Sequence, residues 1–400
     1  MTSEPLVLLQ TSDWHVGSAL TSRTLGLSPE LRELRRDEVD GAAERAVAAA
    51  RALNADGLVV PGDLWDAECV APAVIHRLLA ALASFGPRPV FIAPGNHDFA
   101  GPGGWYEPSV LAALGMRSWP ENVLVFRGPA WSTLPFPGRD DAAVVGRAFL
   151  SARLAAERPL AQPPPVPAVP LSLLLLHGSY ESYGGPDSPI GPKKTAPFSR
   201  KELLSTGFTW TALGHHHQLE IIEDDAGAPR AAYSGCPTGR GLDELGPRSF
   251  LKVTLHPDRP PEVETMPADA RVVRDLALHV SELDGPEIQA RAAALFDSVA
   301  VTSLDIVRLT LTGSQAYGAR PAAAVTALAP RVAHLLVRDR TAPPSPAESA
   351  GLQTAEGRFV ASLTARRETA EDKRVVDLAL ALGRDALAGR VVRPRNPEEW

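Results

Sequence analysis

Five short apolar runs set the limits on what this chain can fold into, because each is followed within a few residues by a side chain that can bind a metal or move a proton. They are "LVLLQ" (Leu6 to Gln10), "GLVVP" (Gly57 to Pro61), "PVFIAP" (Pro89 to Pro94), "LSLLLL" (Leu171 to Leu176) and "FTWTAL" (Phe208 to Leu213). Unbroken runs of this length suit strands buried on both faces. Helical patterns lie between them. One is expected from Pro29 to Leu53, with Ser28 as its N-cap and Pro29 at the first helical position, and another from Pro72 to Ser84. The alternation predicts an α/β fold. A later series, "LEIIED", "RAAYSG" and "RSFLKVTL", is punctuated by Gly, Pro and Asp and reads as an antiparallel meander.

The side chains that follow the runs form a series. "TSDWHVG" supplies Asp13 and His15, "VVPGDLWD" supplies Asp63 and Asp66, "FIAPGNHD" supplies Asn96 and His97, "LLLLHGS" supplies His177, and "ALGHHHQ" supplies His215, His216 and His217. If strand geometry persists past Gln10, Asp13 and His15 project to the same side, as do His215 and His217. In open α/β sheets the ligand crevice lies beyond the carboxyl ends of the strands, so these ends are expected to converge. A lone Asp or Asn there is ordinarily a turn or cap residue, and a lone His an ordinary buried hydrogen-bonding group. Five such motifs in order favour a metal site instead.

Imidazoles, carboxylates and a carboxamide without a thiolate suit Mn, Fe or Zn held by nitrogen and oxygen. Asp13, His15, Asp63, Asn96, His177, His215 and His217 are too many ligands for one four-coordinate ion. Two ions sharing a carboxylate fit better, and such pairs, spaced ~3.5–4 Å, activate a water and hold phosphoryl oxygens for in-line attack. A phosphoester is the expected substrate. His216 is read as pointing away from the metals. His76, His256, His279 and His334 stand outside the motifs and are read as surface or packing residues.

Composition bounds the rest. A chain of 400 residues exceeds what one core usually serves. "PDRPP" (Pro257 to Pro261) marks a boundary, giving a first domain over 1–261. A small α/β unit is expected over 262–340, from "RVVRDLALHV", a helix over Pro286 to Ser298, "SLDIVRLTLT", a helix near Arg320 to Leu328, and "VAHLLVR". "TAPPSPAES" then reads as a linker, and the remainder of 341–400 is helical in pattern. The longest apolar run quoted has six residues, far from the ~20 that cross a bilayer. "MTSEPLVLLQ" lacks the basic region of a signal peptide, and the two cysteines, Cys69 and Cys236, make no disulfide framework, so a cytoplasmic location is expected. A net charge of −7 supplies no whole-molecule attraction to nucleic acid. It leaves room for a local basic surface, and Lys193, Lys194, Arg200 and Lys201 of "GPKKTAPFSRK" are its candidates, with a merely solvated face as the alternative.

The series D-x-H, G-D-x-x-D, G-N-H-D, an isolated His after an apolar strand, and G-H-x-H is similar to the calcineurin-like metallophosphoesterases. More narrowly, "TSDWHVG", "GDLWD", "APGNHD", "PFSRKELLSTGFTWTALGHHHQ", "SGCPTGRGLDELGPRSF" and the tail from "EGRFVASLTARRE" resemble the SbcD family of DNA repair nucleases. That resemblance implies a four-layer α/β/β/α sandwich with a small α/β cap domain and a helical C-terminal tail. It implies that Asp13, His15 and His217 hold one ion, that Asn96, His177 and His215 hold the other, and that Asp63 bridges both. His97 would stabilise or protonate the leaving oxygen, helped by a carboxylate such as Asp66. The family implies manganese, exonuclease and endonuclease activity on DNA, a homodimer, and an SbcC-type coiled-coil ATPase bound by the tail. This chain departs in carrying a third consecutive imidazole, His216, and in placing Cys236 where serine is usual. A phosphoesterase for small phosphoesters or nucleotides and a catalytically silent DNA-binding scaffold are the competing readings.

Overall fold

Leu6 and Leu8 leave the first strand on one side and Val7 and Leu9 on the other, and both sides meet hydrophobic neighbours, which is why the run is unbroken. The structure, a computed structural model, describes residues 4–18, 20, 26–66, 70–116, 118–152, 157–183, 195–315, 319–342 and 353–387. It divides into two units, 1–273 and 274–400.

In the first unit the strands are β1 (Leu6–Gln10), β2 (Gly57–Val60), β3 (Val90–Ile92), β4 (Val123–Val125), β5 (Ser132–Pro135), β6 (Ala142–Gly146), β7 (Leu171–His177), β8 (Trp210–Gly214), β9 (Glu220–Glu223), β10 (Pro229–Tyr233), β11 (Ser249–Leu255) and β12 (Glu262–Pro267). They form two six-stranded sheets, ordered β12-β11-β1-β2-β3-β4 and β5-β6-β7-β8-β10-β9. β1 through β4 run parallel, as do β6, β7, β8 and β10. Leu6, Leu8, Val59 and Phe91 of the first sheet share one core with Leu171, Leu173, Leu175 and Trp210 of the second, so the sheets stack face to face. Helices α1 (Pro29–Asp40), α2 (Ala42–Ala52), α3 (Pro72–Ser84) and α4 (Pro108–Ala113) flank the sandwich, and α2, α3 and α4 line the outer face of the first sheet through Val47, Leu78 and Leu111. On the outer face of the second sheet, Leu203 of α5 (Arg200–Leu204) packs with Leu174 and Leu176. The fold is thus mixed α/β with sheets flanked by helices.

Two local expectations are corrected. The helix expected from Pro29 to Leu53 is two helices, because the chain leaves helical geometry at Gly41, which caps α1 with φ −80° and ψ 9°. Glycine concedes the most entropy in a helix interior and is the natural break. The meander also fails. β9 and β10 are antiparallel, but β10 lies parallel to β8, and β11 crosses to the other sheet to pair antiparallel with β1.

The second unit holds a three-stranded sheet of β13 (Val273–His279), β14 (Ile306–Thr312) and β15 (His334–Asp339), the last two parallel. One face is covered by α6 (Gly285–Ser298) and α7 (Pro321–Thr326), which bring Ile288, Phe296 and Val325 onto Val307, Leu309 and Leu311. Asp284 and Glu287 form a capping box at the start of α6. Helices α8 (Ala355–Thr369) and α9 (Lys373–Leu387) make a hairpin joined by Arg367 to Asp377 and Arg384 to Glu356. Among the described residues no helix is long and apolar enough to cross a membrane.

Candidate metal centre

Parallel β1, β2 and β3 end at one edge of the first sheet, and β7 and β8 end over them in the second. The loops are tied together by their backbones. Asp13 N–H donates to the Gly62 carbonyl (3.0 Å), His15 N–H to that of Asp63 (3.1 Å), and Gly178 N–H to that of Gly214 (3.0 Å). β1 has ended at Gln10 by then, so strand alternation does not aim Asp13 and His15. Their backbones are left-handed instead, with φ of 55° and 48°, and Asp63 (55°) and His215 (107°) also have positive φ. Each such conformation costs a non-glycine residue of order 1–3 kcal/mol and persists only where its surroundings enforce it. Glycine is required close by. A Cβ on Gly95 would strike Asp63 Oδ1 and the His177 ring, and one on Gly214 would strike the Pro61 carbonyl.

Among the described residues, four groups of potential ligands gather within hydrogen-bonding or metal-sharing reach: Asp13, His15 and His217; Asp63, His177 and His215; His15, Asp66 and His97; and, behind the first, His217, Cys236 and Glu244. Asn96 joins the second through Oδ1, 2.9 Å from His177 Nε2. Asp63 lies between the first two. Its Oδ2 is 3.4 Å from His177 Nε2 and 3.8 Å from His15 Nε2. Asp13 accepts hydrogen bonds from the Ser12 hydroxyl (2.5 Å) and from His215 N–H (3.0 Å). Asp66 serves two rings, with Oδ1 2.7 Å from His15 Nδ1 and 3.0 Å from His97 Nδ1. His97 is half-exposed, whereas Asp13, His15, Asp63 and His177 are buried.

Without a cation this arrangement is electrostatically incomplete. Asp63 Oδ2 is buried with no hydrogen-bond partner, a costly state for a carboxylate oxygen. His15 Nε2 and His217 Nε2 face each other at 3.3 Å, while their Nδ1 atoms are occupied by Asp66 (2.7 Å) and Glu244 (2.8 Å). With both Nδ1–H groups donating to carboxylates, two lone pairs point at each other, which suits a shared positive charge. The donor set fits divalent cations that accept nitrogen and oxygen. Burial pushes the His15 and His215 pKa values down, favouring neutral, ligating rings. The hydrogen bond that His97 donates to Asp66 raises the pKa of that ring. Asp66 itself, although burial pushes its carboxyl up, is held well below the usual range by His15 and His97.

His216 stacks on Tyr183, with ring centroids 3.7 Å apart, and lies outside the clusters. Arg200 bonds Asp225 and the Glu223 carbonyl (both 2.8 Å), and Lys201 is exposed on α5; neither belongs to the centre. Lys193, Lys194 and Cys69 lie outside the described residues, and Cys236 is a buried free thiol. Two further carboxylates support the centre without belonging to its predicted ligand set. Glu244, which lies in the segment "SGCPTGRGLDELGPRSF" but to which the sequence reading gives no role, backs His217. The Asp98 carboxylate, at the end of "GNHD", takes N–H groups from Asp63 (2.9 Å), Gly95 (2.6 Å) and Leu64 (3.1 Å) and the Tyr106 hydroxyl (2.7 Å), stapling the loops after β2 and β3 together. Burial and the charge of Asp63 push its carboxyl up to about 6.

Residues 6–219 match the calcineurin-like phosphoesterase family, and the chain belongs to it. It is similar to the uncharacterized metallophosphoesterase YhaO of Bacillus subtilis, 26% identical over 205 residues, which are 50% of this chain and 45% of that protein. It is also similar to the SbcD subunit of the nuclease SbcCD of Bacillus subtilis, 28% identical over 99 residues, or 23% of this chain and 22% of that one. The chain thus matches less than half the length of either curated relative. Among solved structures, a dimetal phosphatase from Danio rerio is similar at 15% identity and a TM-score of 0.39, covering 66% of this chain and 98% of that one.

Proposed function

We propose that this chain is a two-metal DNA phosphodiesterase of SbcD type, with Asp13, His15 and His217 holding one cation, Asn96, His177 and His215 the second, and Asp63 shared. The observation that carries the reading is the partnerless Asp63 Oδ2, buried between imidazole nitrogens of both groups. Bound divalent cations, manganese in this reading, would lower the pKa of a shared water and hold phosphoryl oxygens. The chain's own residues do the remainder. Asp66 accepts from His97 Nδ1, so the protonated ring presents Nε2–H to the leaving oxygen, and its half-exposed position admits a polymer. The α8–α9 hairpin is proposed to bind an SbcC-type coiled-coil ATPase, supported by the naming of one relative as a subunit of SbcCD.

The test compares an end-labelled duplex DNA with bis-p-nitrophenyl phosphate under Mn2+, alongside metal analysis of the protein. Wild type is expected to cut the duplex and to hold two cations per chain. His97→Ala should keep both cations and lose DNA cleavage by about 10²-fold or more, the usual contribution of a positioned acid. An H97A variant that cuts at the wild-type rate removes the assigned role. Turnover of the small diester with duplex left intact favours the small-phosphoester reading, and a protein that retains no metal favours the silent scaffold.

A further inference from the structure

Glu244 lies 2% exposed in the loop between β10 and β11, outside the metal-ligand motifs. Its Oε1 is 2.8 Å from His217 Nδ1, and its Oε2 accepts the Arg240 backbone N–H at 2.6 Å. The Arg240 side chain closes on the same carboxylate, Nη2 to Oε1 at 2.5 Å and Nε to Oε1 and Oε2 at 3.1 and 3.2 Å. Arg240 Nη2 also stands 3.2 Å from His217 Nδ1.

Two tautomers of His217 therefore compete. If Nδ1 carries the proton, it donates to Glu244, and Nε2 offers its lone pair toward Asp13 and His15. If Nδ1 is bare, it accepts from the Arg240 guanidinium, which can only donate, and the proton sits on Nε2, where no cation can bind. We infer that Glu244 is a positioning residue that selects the first tautomer and fixes the ring, with Arg240 as the counter-ion that keeps the carboxylate in place; the inference rests on the two-cation reading above.

The loop holding this pair is braced from several directions. Arg35, 1% exposed, donates through Nε and Nη2 to the Gly239 carbonyl (3.0 and 2.6 Å) while also pairing with Asp269. Arg45 Nη2 reaches the Thr238 hydroxyl (2.5 Å), and Arg248 Nη1 donates to the His217 carbonyl (2.7 Å). So α1 and α2 hold one flank of the loop, and the arginine just before β11 holds the backbone of the ligand itself. A support fixed this firmly can decide a ring's orientation before any cation arrives. His15 has a comparable carboxylate in Asp66, whereas His177 Nδ1 rests on the Pro61 carbonyl at 2.9 Å.

The experiment uses the full chain. Mn2+ binding is measured by equilibrium dialysis, the His217 tautomer is read by long-range ¹⁵N–¹H NMR on metal-free protein, and a melt checks the fold. Wild type should bind two Mn2+ and show the Nδ1–H form. Glu244→Gln should bind one of the two about 10- to 100-fold more weakly, the usual effect of losing such a support, and should move His217 toward Nε2–H. Wild-type affinity for both cations, or an unchanged Nδ1–H tautomer in E244Q, overturns the inference. Wild type binding no Mn2+ instead sinks the two-cation reading on which it rests. Should E244Q melt early, Glu244→Asp takes its place: an intermediate loss of affinity with the Nδ1–H form retained supports the inference, and wild-type affinity overturns it.

Discussion

Asp98 shows how much of a site rests on a side chain that never faces it. Four donors converge on one fully buried carboxylate, three of them backbone N–H groups of the loops that carry Asp63 and Asn96. Asp98→Asn keeps the shape but turns an NH2 toward donors that then have no acceptor. Hydrogen bonds to charged groups contribute ~1.5–3 kcal/mol, so the metal-free variant should lose about 2–3 kcal/mol in urea unfolding. A loss under about 0.5 kcal/mol, within the range of an ordinary surface substitution, would mean that the loops hold themselves. The metal-capable residues themselves were legible in sequence because their types recur in order after apolar runs. Glu244 was not: only the fold brings a carboxylate 27 positions away onto His217. Nor could alternation foretell that Asp13 and His15 reach the centre through left-handed backbone.

Helix α5 is one turn and a half long and could not persist on propensity alone. Its capping box supplies what is missing: Ser199 Oγ accepts from Glu202 N–H, and Glu202 accepts from Ser199 N–H at 2.7 Å. Arg158 adds two bonds to Glu202 and two to Glu181. Arg158 and the cap together pull the Glu202 carboxyl down to about 2. A carboxyl depressed on folding stabilises above its unfolded value and loses that contribution as the pH falls through its folded one. Wild type should therefore exceed Glu202→Gln in stability at pH 7, and the gap should close between about pH 4.5 and pH 2, as read by denaturant titrations across that range. A gap independent of pH would place the contribution in packing. Most strands buried on both faces were foreseeable from their apolar runs, but β6, "AAVVG", was not, although every position in it is buried, because alanine and glycine give it a weak apolar signal; β5, "STLP", was not foreseeable either, because it is largely exposed and ends in proline. The expected meander fails for a related reason, since strands adjacent in sequence need not share a sheet, and the chain crosses to the other one between β10 and β11.

Within 1–273 the two sheets share one interior, and the candidate ligands come from the ends of both: Asp13, His15, Asp63 and Asn96 from the first, His177, His215 and His217 from the second. Neither sheet alone completes either proposed cation site. Four of these residues also have positive φ, a geometry that the unfolded chain seldom visits. On the proposed two-cation reading, capture must then wait until the sandwich has closed, and an added divalent cation such as Mn2+ should act as a brake on escape from the native state rather than as a guide into it. Stopped-flow refolding should proceed at one rate whatever the Mn2+ concentration, while unfolding slows as the ion is added; an ion that hastened refolding would show that part of the cage forms early.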